Sequence, residues 1–192
     1  TLTLTVSGAN DAPVAVADVV QTGEGSAISV DVLANDRDPD SSDVLSLVSA
    51  SIASAIVDAD GRAITLGSAG INITGGQVSF DPGSDFDFLA EGESATVVIN
   101  YQLSDDDGSP LTDTGSLTVR ITGANDRPVA TVDSGAIAEN SAVAFDVLVN
   151  DSDVDAGTVL RVSAASVLSM TADTNGAAIT LNSASISFSD TR

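Results

Sequence analysis

The 192-residue chain lacks four residue types that carry much of protein chemistry: cysteine, histidine, lysine and tryptophan. Without cysteine it cannot form a disulfide, a zinc–thiolate site or a thiol nucleophile. Without histidine it has no Ser-His-Asp triad and no imidazole metal ligand, and without lysine it has no Schiff-base amine and no Lys–Asn isopeptide cross-link. Small secreted β-domains often need a stabilising cross-link, and a metal ion held by oxygen atoms is the kind that this composition still permits.

Positive charge is also scarce in this sequence. There are 28 acidic residues against six basic ones, all arginine, which gives a net charge of −22. Such a surface repels nucleic acid and anionic membranes, so we expect neither nucleic-acid binding nor insertion into a membrane. It also repels itself, which weakens the compact state unless cations bind. Adaptation to high salt would explain the charge, but it does not explain acids that recur at fixed positions.

The acids recur because the chain repeats itself at an offset of 115 residues. The segment Asn-Asp-Ala-Pro at residues 10–13 returns as Asn-Asp-Arg-Pro at residues 125–128. The acidic run at residues 31–40 returns at residues 146–155. A self-match at a fixed period is typical of a tandem array of one structural unit.

Alternation of apolar and polar residues predicts β-strands throughout the repeat, and no stretch shows a helical period. Gly75-Gly76 is typical of a tight turn, and a short strand is expected just before it at residues 71–73. Several short strands separated by Gly, Asp and Asn favour an all-β fold made of tandem Ig-like Greek-key β-sandwiches. The predicted strands A to G lie at residues 14–21, 27–33, 44–53, 63–66, 78–80, 96–103 and 115–122.

The repeat also predicts the domain boundaries. Residues 1–9 match the last strand of a preceding repeat, so we expect the chain to be an internal segment of a longer protein. Residues 10–124 form a complete repeat, and residues 125–192 form a second repeat that ends after strand E, with a seven-residue deletion after Leu181. A sandwich without strands F and G should be frayed, or it should be completed by another copy of the chain through strand addition.

Greek-key topology gathers the acids at the two ends of each sandwich. The B–C and F–G loops of one repeat meet at one end, and the A–B and E–F loops of that repeat meet the next repeat at the other. Calcium takes about six to eight oxygen ligands at roughly 2.3–2.6 Å in flexible geometry, which makes Ca²⁺ the expected cofactor. The candidate ligands are Asn10, Asp11, Glu24, Asp36, Asp38, Asp40, Asp85, Asp87, Asp105, Asp107, Asn125, Asp126, Asp151, Asp153 and Asp155.

Other interpretations of the acids explain less of the pattern. An EF-hand loop would need Gly at Ser41 and a bidentate acid at Leu47. A glycosidase pair usually works beside aromatic platforms, whereas this chain has one tyrosine and no tryptophan. Ordinary Asp-rich turns remain an alternative for any single loop. We therefore predict a non-enzymatic, calcium-binding protein.

Four motifs together resemble the bacterial cadherin-like and VCBS-type repeats of large, type I-secreted RTX adhesins. They are Asn-Asp-x-Pro-Val at residues 10–14, Val-Leu-x-Asn-Asp-x-Asp-x-Asp at 32–40, Tyr-x-x-Ser-Asp at 101–105 and Thr-Gly-Ala-Asn-Asp at 122–126. The resemblance implies calcium ligands at the junctions between repeats, with Glu24 beneath them. The ligands that it implies are Asp11, Asp36, Asp38, Asp126, Asp151 and Asp153.

The same resemblance implies a function in attachment or biofilm formation. The chain would be a calcium-rigidified extender that holds an adhesive domain away from the cell, secreted and displayed at the cell surface, with neighbouring repeats of the same chain as its partners. Two alternatives stay open. One is a subunit of an extracellular filament or surface layer assembled by strand donation, and the other is a module that binds carbohydrate or protein.

Overall fold

In a computed structural model that describes residues 1–138, 141–168 and 187, the regular secondary structure is entirely β, which confirms the predicted fold class. Seven strands follow one another within the first repeat. They are β1 (Asp18–Gly23), β2 (Ile28–Val30), β3 (Ser46–Val57), β4 (Gly70–Thr74), β5 (Gln77–Asp81), β6 (Ser94–Ser104) and β7 (Thr112–Thr122).

The strands form two sheets, with the order β1-β7-β6-β3 in one and β2-β5-β4 in the other. All paired neighbours are antiparallel except β1 and β7, which run parallel from Asp18↔Leu117 to Gly23↔Thr122. A parallel pair needs a long crossover, and here the other five strands provide it. The first and last strands of the repeat therefore lie side by side.

The core lies between the two sheets, because alternate residues of each strand point inward. On β6 the buried positions include Val97, Ile99 and Tyr101, and the intervening positions face outward. Phe86, from the β5–β6 loop, fills the end of the core and packs edge-on against Phe80 with ring centroids 6.4 Å apart. Full burial of a large apolar side chain contributes about 1.5–3 kcal/mol. Strands β6 and β7, whose inward-facing side chains are buried, therefore supply much of the driving force for folding.

The prediction for strand D was wrong. Residues 63–66 form only a single bridge, Ile56↔Ala63, and the fourth strand is β4. The reason is that β3 runs on to Val57, where the Val57 amide donates to the Arg62 carbonyl at 2.8 Å and the Ile64 amide donates to the Ala55 carbonyl at 2.8 Å. The chain then crosses to the other sheet, where Gly75 and Gly76, both with positive φ, turn β4 into β5.

The chain divides into two compact units, Thr1–Asp126 and Arg127–Arg192. Residues 1–9 lie outside both sheets of the first unit, and Leu2, Leu4 and Val6 are exposed. Within the described residues of the second unit the backbone pairing is a single bridge, Val129↔Ser152. The predicted strand D of the second repeat, and its predicted strand E apart from Ser187, lie outside the described residues.

Candidate metal centre

A cluster of three carboxylates lies in the β2–β3 loop, at the end of the first sandwich where residues 10–13 enter it. Asp38, Asp40 and Asp43 are each half-buried, and each offers a carboxylate oxygen within 4.8 Å of the other two. Oxygens on opposite sides of one calcium ion lie about 5 Å apart, since each bond is roughly 2.3–2.6 Å long. The spacing of the three carboxylates therefore fits one cation.

Local hydrogen bonds fold the loop into this arrangement. Asp38 Oδ1 accepts the Asp40 amide at 2.8 Å, an Asx turn that short acidic side chains form readily. The Asp40 carbonyl accepts the Asp43 amide at 3.1 Å and closes the next turn. Asp40 Oδ2 accepts the Asp11 amide at 2.7 Å, so the same turn also fixes the incoming segment.

Three buried oxygens in this region accept no hydrogen bond: Asn10 Oδ1, Asp38 Oδ2 and Asp43 Oδ2. Burying a polar or charged oxygen without a partner is unfavourable unless it is paired or binds a metal. Burial, followed by the charge of Asp107 and of the other two acids in the cluster, raises the pKa of Asp43. The cluster is thus electrostatically strained in the absence of a positive charge, and its donor set of hard oxygens is the one that calcium prefers.

The Asn10 side chain is held in a single orientation by the β6–β7 loop. Its Nδ2 donates to Asp105 Oδ2 at 3.1 Å and to the Ser109 carbonyl at 3.3 Å, so its Oδ1 remains the available acceptor. Asp105 is itself buried and accepts the Leu111 amide at 3.1 Å. Among the predicted ligands, Asp105 therefore orients Asn10 and the loop, and exposed Asp107 contributes negative charge beside Asp43.

Asp36, another predicted ligand, is hydrogen-bonded to the backbone and to a tyrosine. Its Oδ1 accepts the Val16 amide at 2.6 Å, and its Oδ2 lies 3.1 Å from the buried Tyr101 hydroxyl. Asp18 also lies 3.4 Å from that hydroxyl, and burial together with both carboxylates raises the pKa of Tyr101. Asp36 thus fixes the segment before β1 against the core.

The opposite end of the first sandwich contains the other five predicted ligands that belong to this unit: Glu24, Asp85, Asp87, Asn125 and Asp126. Glu24 is buried and accepts the Ala124 amide at 2.8 Å, which fixes the chain where it leaves β7. Asp85 Oδ2 accepts three consecutive amides, those of residues 67–69, at 2.7–2.8 Å, and these bonds lower its pKa to about 2. Asp87 is half-buried in the same loop as Asp85. Where the chain leaves the sandwich, the Asn125 side chain donates to the Asp126 carbonyl at 2.9 Å.

The acidic loop of the second unit has the same local structure as that of the first. Asp153 Oδ1 accepts the Asp155 amide at 3.0 Å, as Asp38 accepts that of Asp40, and Asp155 is buried. Asp151 Oδ1 accepts the Thr131 amide at 2.7 Å, as Asp36 accepts that of Val16. The turn therefore follows from the local sequence, and it forms in both units.

Asp43 is the residue of the centre that the sequence prediction missed. One period later its position is occupied by Thr158, so it did not stand out among the acids that recur. A signal was nevertheless present, because Asp38-x-Asp40-x-x-Asp43 places a third carboxylate on the turn that follows the Asx turn. A comparison of the two repeats identifies only those candidate ligands that recur in both.

Two face-to-face sheets with adjacent first and last strands and an acidic end define an immunoglobulin-like β-sandwich module. The chain belongs to the bacterial cadherin-like domain family, since the model of that family matches residues 10–123, and that of the bacterial Ig domain matches residues 125–191. The predicted resemblance to cadherin-like, Ig-like repeats is thereby confirmed. Such domains are typically non-enzymatic modules of surface proteins, and cadherin-like domains generally bind calcium.

Two further comparisons add little to this assignment. A solved structure from Saccharophagus degradans, described as a nucleoside hydrolase-related hypothetical protein associated with carbohydrate metabolism, is similar at 23% identity and a TM-score of 0.40. The match covers 59% of this chain and 26% of that one. A comparison with curated proteins gave no match. Among the described residues, no helix is long and apolar enough to cross a membrane.

Proposed function

We propose that this chain is a calcium-rigidified extender segment of a secreted bacterial cell-surface adhesin, acting in attachment or biofilm formation. The observation that carries the proposal is the centre formed by Asp38, Asp40 and Asp43, where three carboxylates converge beside buried oxygens that lack hydrogen-bond donors. The centre lies where the incoming segment meets the sandwich. A cation at this position would act on the joint between successive repeats.

The residues of the centre come from two parts of the chain. Asn10 belongs to the incoming segment, whereas Asp38, Asp40 and Asp43 belong to the β2–β3 loop of the sandwich. Bound calcium would neutralise the carboxylates and add oxygen bonds between the two parts. Because the Asp11 amide already donates to Asp40, the ion would strengthen an existing contact, and water would complete its coordination shell.

A related centre is proposed in the acidic loop of the second unit. Its candidate ligands are Asp151, Asp153 and Asp155. The Asx turn that Asp153 and Asp155 form supports this assignment. Thr158 replaces the third carboxylate of the turn, so this centre should bind calcium more weakly than the centre of the first unit.

Hydrogen exchange of the incoming segment tests the rigidifying effect. Amides of residues 10–16 should exchange more slowly in millimolar calcium than in chelator, because opening of the segment would require loss of the ion. Asp43→Asn should abolish this difference, whereas Asp60→Asn, an exposed acid on the β3–β4 connection, should preserve it. Equal exchange in calcium and in chelator would contradict the proposed function.

A further inference from the structure

The outward-facing side of the four-stranded sheet is free of net charge, although the chain as a whole is strongly acidic. We name it the neutral face and define it as the side chains of β1, β7, β6 and β3 that alternate with the buried ones. On β6 it includes Asn100 and Gln102, which lie opposite Ser116 and Thr114 of β7. Ser51 of β3 extends the row that contains Asn100.

Few charged residues occur on the strands that form this face. Strands β3 and β6 contain none. Arg120 of β7 is the charged residue that points outward, and its Nη2 lies 3.6 Å from Asp58 Oδ2 and donates to Ser94 Oγ at 2.8 Å. Asp58 also accepts the Ser94 and Thr96 hydroxyls at 2.6 Å. The two opposite charges at the margin of the face therefore balance each other.

The chemistry of the face restricts what can bind there. Hydroxyl and amide side chains both donate and accept hydrogen bonds, so a surface built from them can be complementary to itself. An anionic partner would meet a chain of net charge −22. Sugars are usually bound on aromatic platforms, whereas Tyr101, Phe80 and Phe86 are buried in the core of this unit.

We propose that the neutral face is the surface along which two copies of this chain pack side by side. The acidic loops make approach through either end of the sandwich unfavourable without cations, whereas the neutral face allows two copies to meet without like-charge repulsion. An isologous pair would place the same rows of hydroxyls and amides opposite each other. Val19 of the edge strand β1 and Val98 of β6, which lie on either side of Thr118, would add apolar contact.

The size of the face sets the expected strength of this pairing. The four strands contain 6, 12, 11 and 11 residues, and at roughly 3.3 Å per residue with strands about 4.8 Å apart they give an area of about 630 Å². A stable interface buries about 800 Å² on each partner. A single repeat should therefore pair weakly and reversibly, and an array of repeats would pair more strongly through multivalency.

Single cysteine substitutions test the proposal without competing disulfides, because the native chain has no cysteine. Asn100→Cys and Ser116→Cys place a thiol near the centre of the face. Ser79→Cys is the matched control, since Ser79 points outward from the central strand of the other sheet. Under mild oxidation in chelator, the face variants should form disulfide dimers roughly tenfold faster than the control, because pairing raises the effective concentration of the thiols.

A charged substitution completes the design. Adding Thr118→Glu to Asn100→Cys should lower the rate of dimer formation to that of Ser79→Cys, since two like charges would meet across the interface. Circular dichroism should show that the double variant stays folded. Equal rates for Asn100→Cys, Ser116→Cys and Ser79→Cys would overturn the proposal, as would an unchanged rate after Thr118→Glu. Because the reactions run in chelator, their outcome is independent of the calcium proposal.

Discussion

The two repeats of this chain share their acidic turns but differ in the burial of their apolar side chains. Val32 is fully buried in the first unit, whereas its counterpart Val147 is 39% exposed. Ile28 packs against the core, while its counterpart Val143 is 49% exposed. The bridge between Val14 and Arg37 nevertheless recurs between Val129 and Ser152.

This difference separates local from long-range structure. An Asx turn needs only a few neighbouring residues, so it forms in both units. A sandwich core needs strands that are distant in the sequence, and β6 and β7 supply much of it in the first unit. Residues 125–192 contain no sequence counterpart of those two strands. The acidic loop can therefore be in place before, or without, the complete sandwich.

The largest expected effect comes from removing the long-range contribution of β6. Ile99→Asp places a carboxylate in the fully buried centre of the sheet, and an uncompensated buried charge destabilises by about 3–5 kcal/mol. The first unit should then lose its cooperative unfolding transition or unfold at a much lower temperature. Differential scanning calorimetry measures this directly, and an unchanged transition would show that β6 does not support the core as described.

A matched pair of smaller substitutions sharpens the comparison. Val32→Ala should lower the free energy of unfolding by about 2 kcal/mol, since a fully buried valine loses its methyl groups. Val147→Ala at the equivalent position should change it by less than about 0.5 kcal/mol, because Val147 is partly exposed. Urea denaturation of both variants provides the test. Equal effects would mean that the two repeats do not differ in burial.

The lowered pKa of Asp85 predicts how the stability of the first unit depends on pH. Its folded pKa of about 2 lies below the value of about 3.9 for an unstructured Asp. Its contribution to stability is therefore present above pH 4 and is lost as the pH falls from about 4 to about 2. Because the bonds are exposed and screened by solvent, Asp85→Asn should cost about 1 kcal/mol at pH 7. Wild type and variant should unfold alike at pH 2, and a constant difference down to that pH would contradict this role.

A gain-of-function substitution tests whether the two acidic loops share one ligand arrangement. Thr158→Asp supplies the second acidic loop with the third carboxylate that Asp43 provides in the first. An added charged ligand should strengthen calcium binding by the second loop by roughly tenfold, since ligand charge tunes calcium affinity. Thr158→Asn, which adds bulk without charge, is the control. Identical calcium affinities in the two variants would argue against a shared ligand arrangement.

Much of the fold could be predicted because alternation is strict where both neighbours of a strand are present. The predicted strands at 96–103 and 115–122 lie within β6 and β7. Strand D was assigned to residues 63–66 rather than to the strand predicted at 71–73, which lies within β4, because residues 63–66 also alternate. Only the backbone bonds near Val57 show that residues 63–66 still pair with β3. The local sequence pattern does not show which neighbouring strand a segment pairs with.

The candidate site was predicted in outline, and its details required tertiary structure. In sequence terms Asp36 and Asp85 look like Asp38, but the structure places amide donors on their oxygens. Asp38 also accepts an amide, but only at Oδ1, so Asp38 Oδ2 and Asp43 Oδ2 have no hydrogen-bond donor. Composition and spacing identify oxygen-rich loops, and the hydrogen bonds show which of their buried oxygens lack a donor.

Isothermal titration with calcium tests the central claim most directly. The wild-type chain should bind calcium, and Asp43→Asn should remove one binding event or weaken it by at least roughly tenfold, since a carboxylate ligand is lost. Asp60→Asn removes the same charge from an exposed position on the β3–β4 connection and should leave the titration unchanged. The absence of calcium binding by the wild type, or equal titrations for all three proteins, would contradict the account of the acidic cluster as a calcium centre.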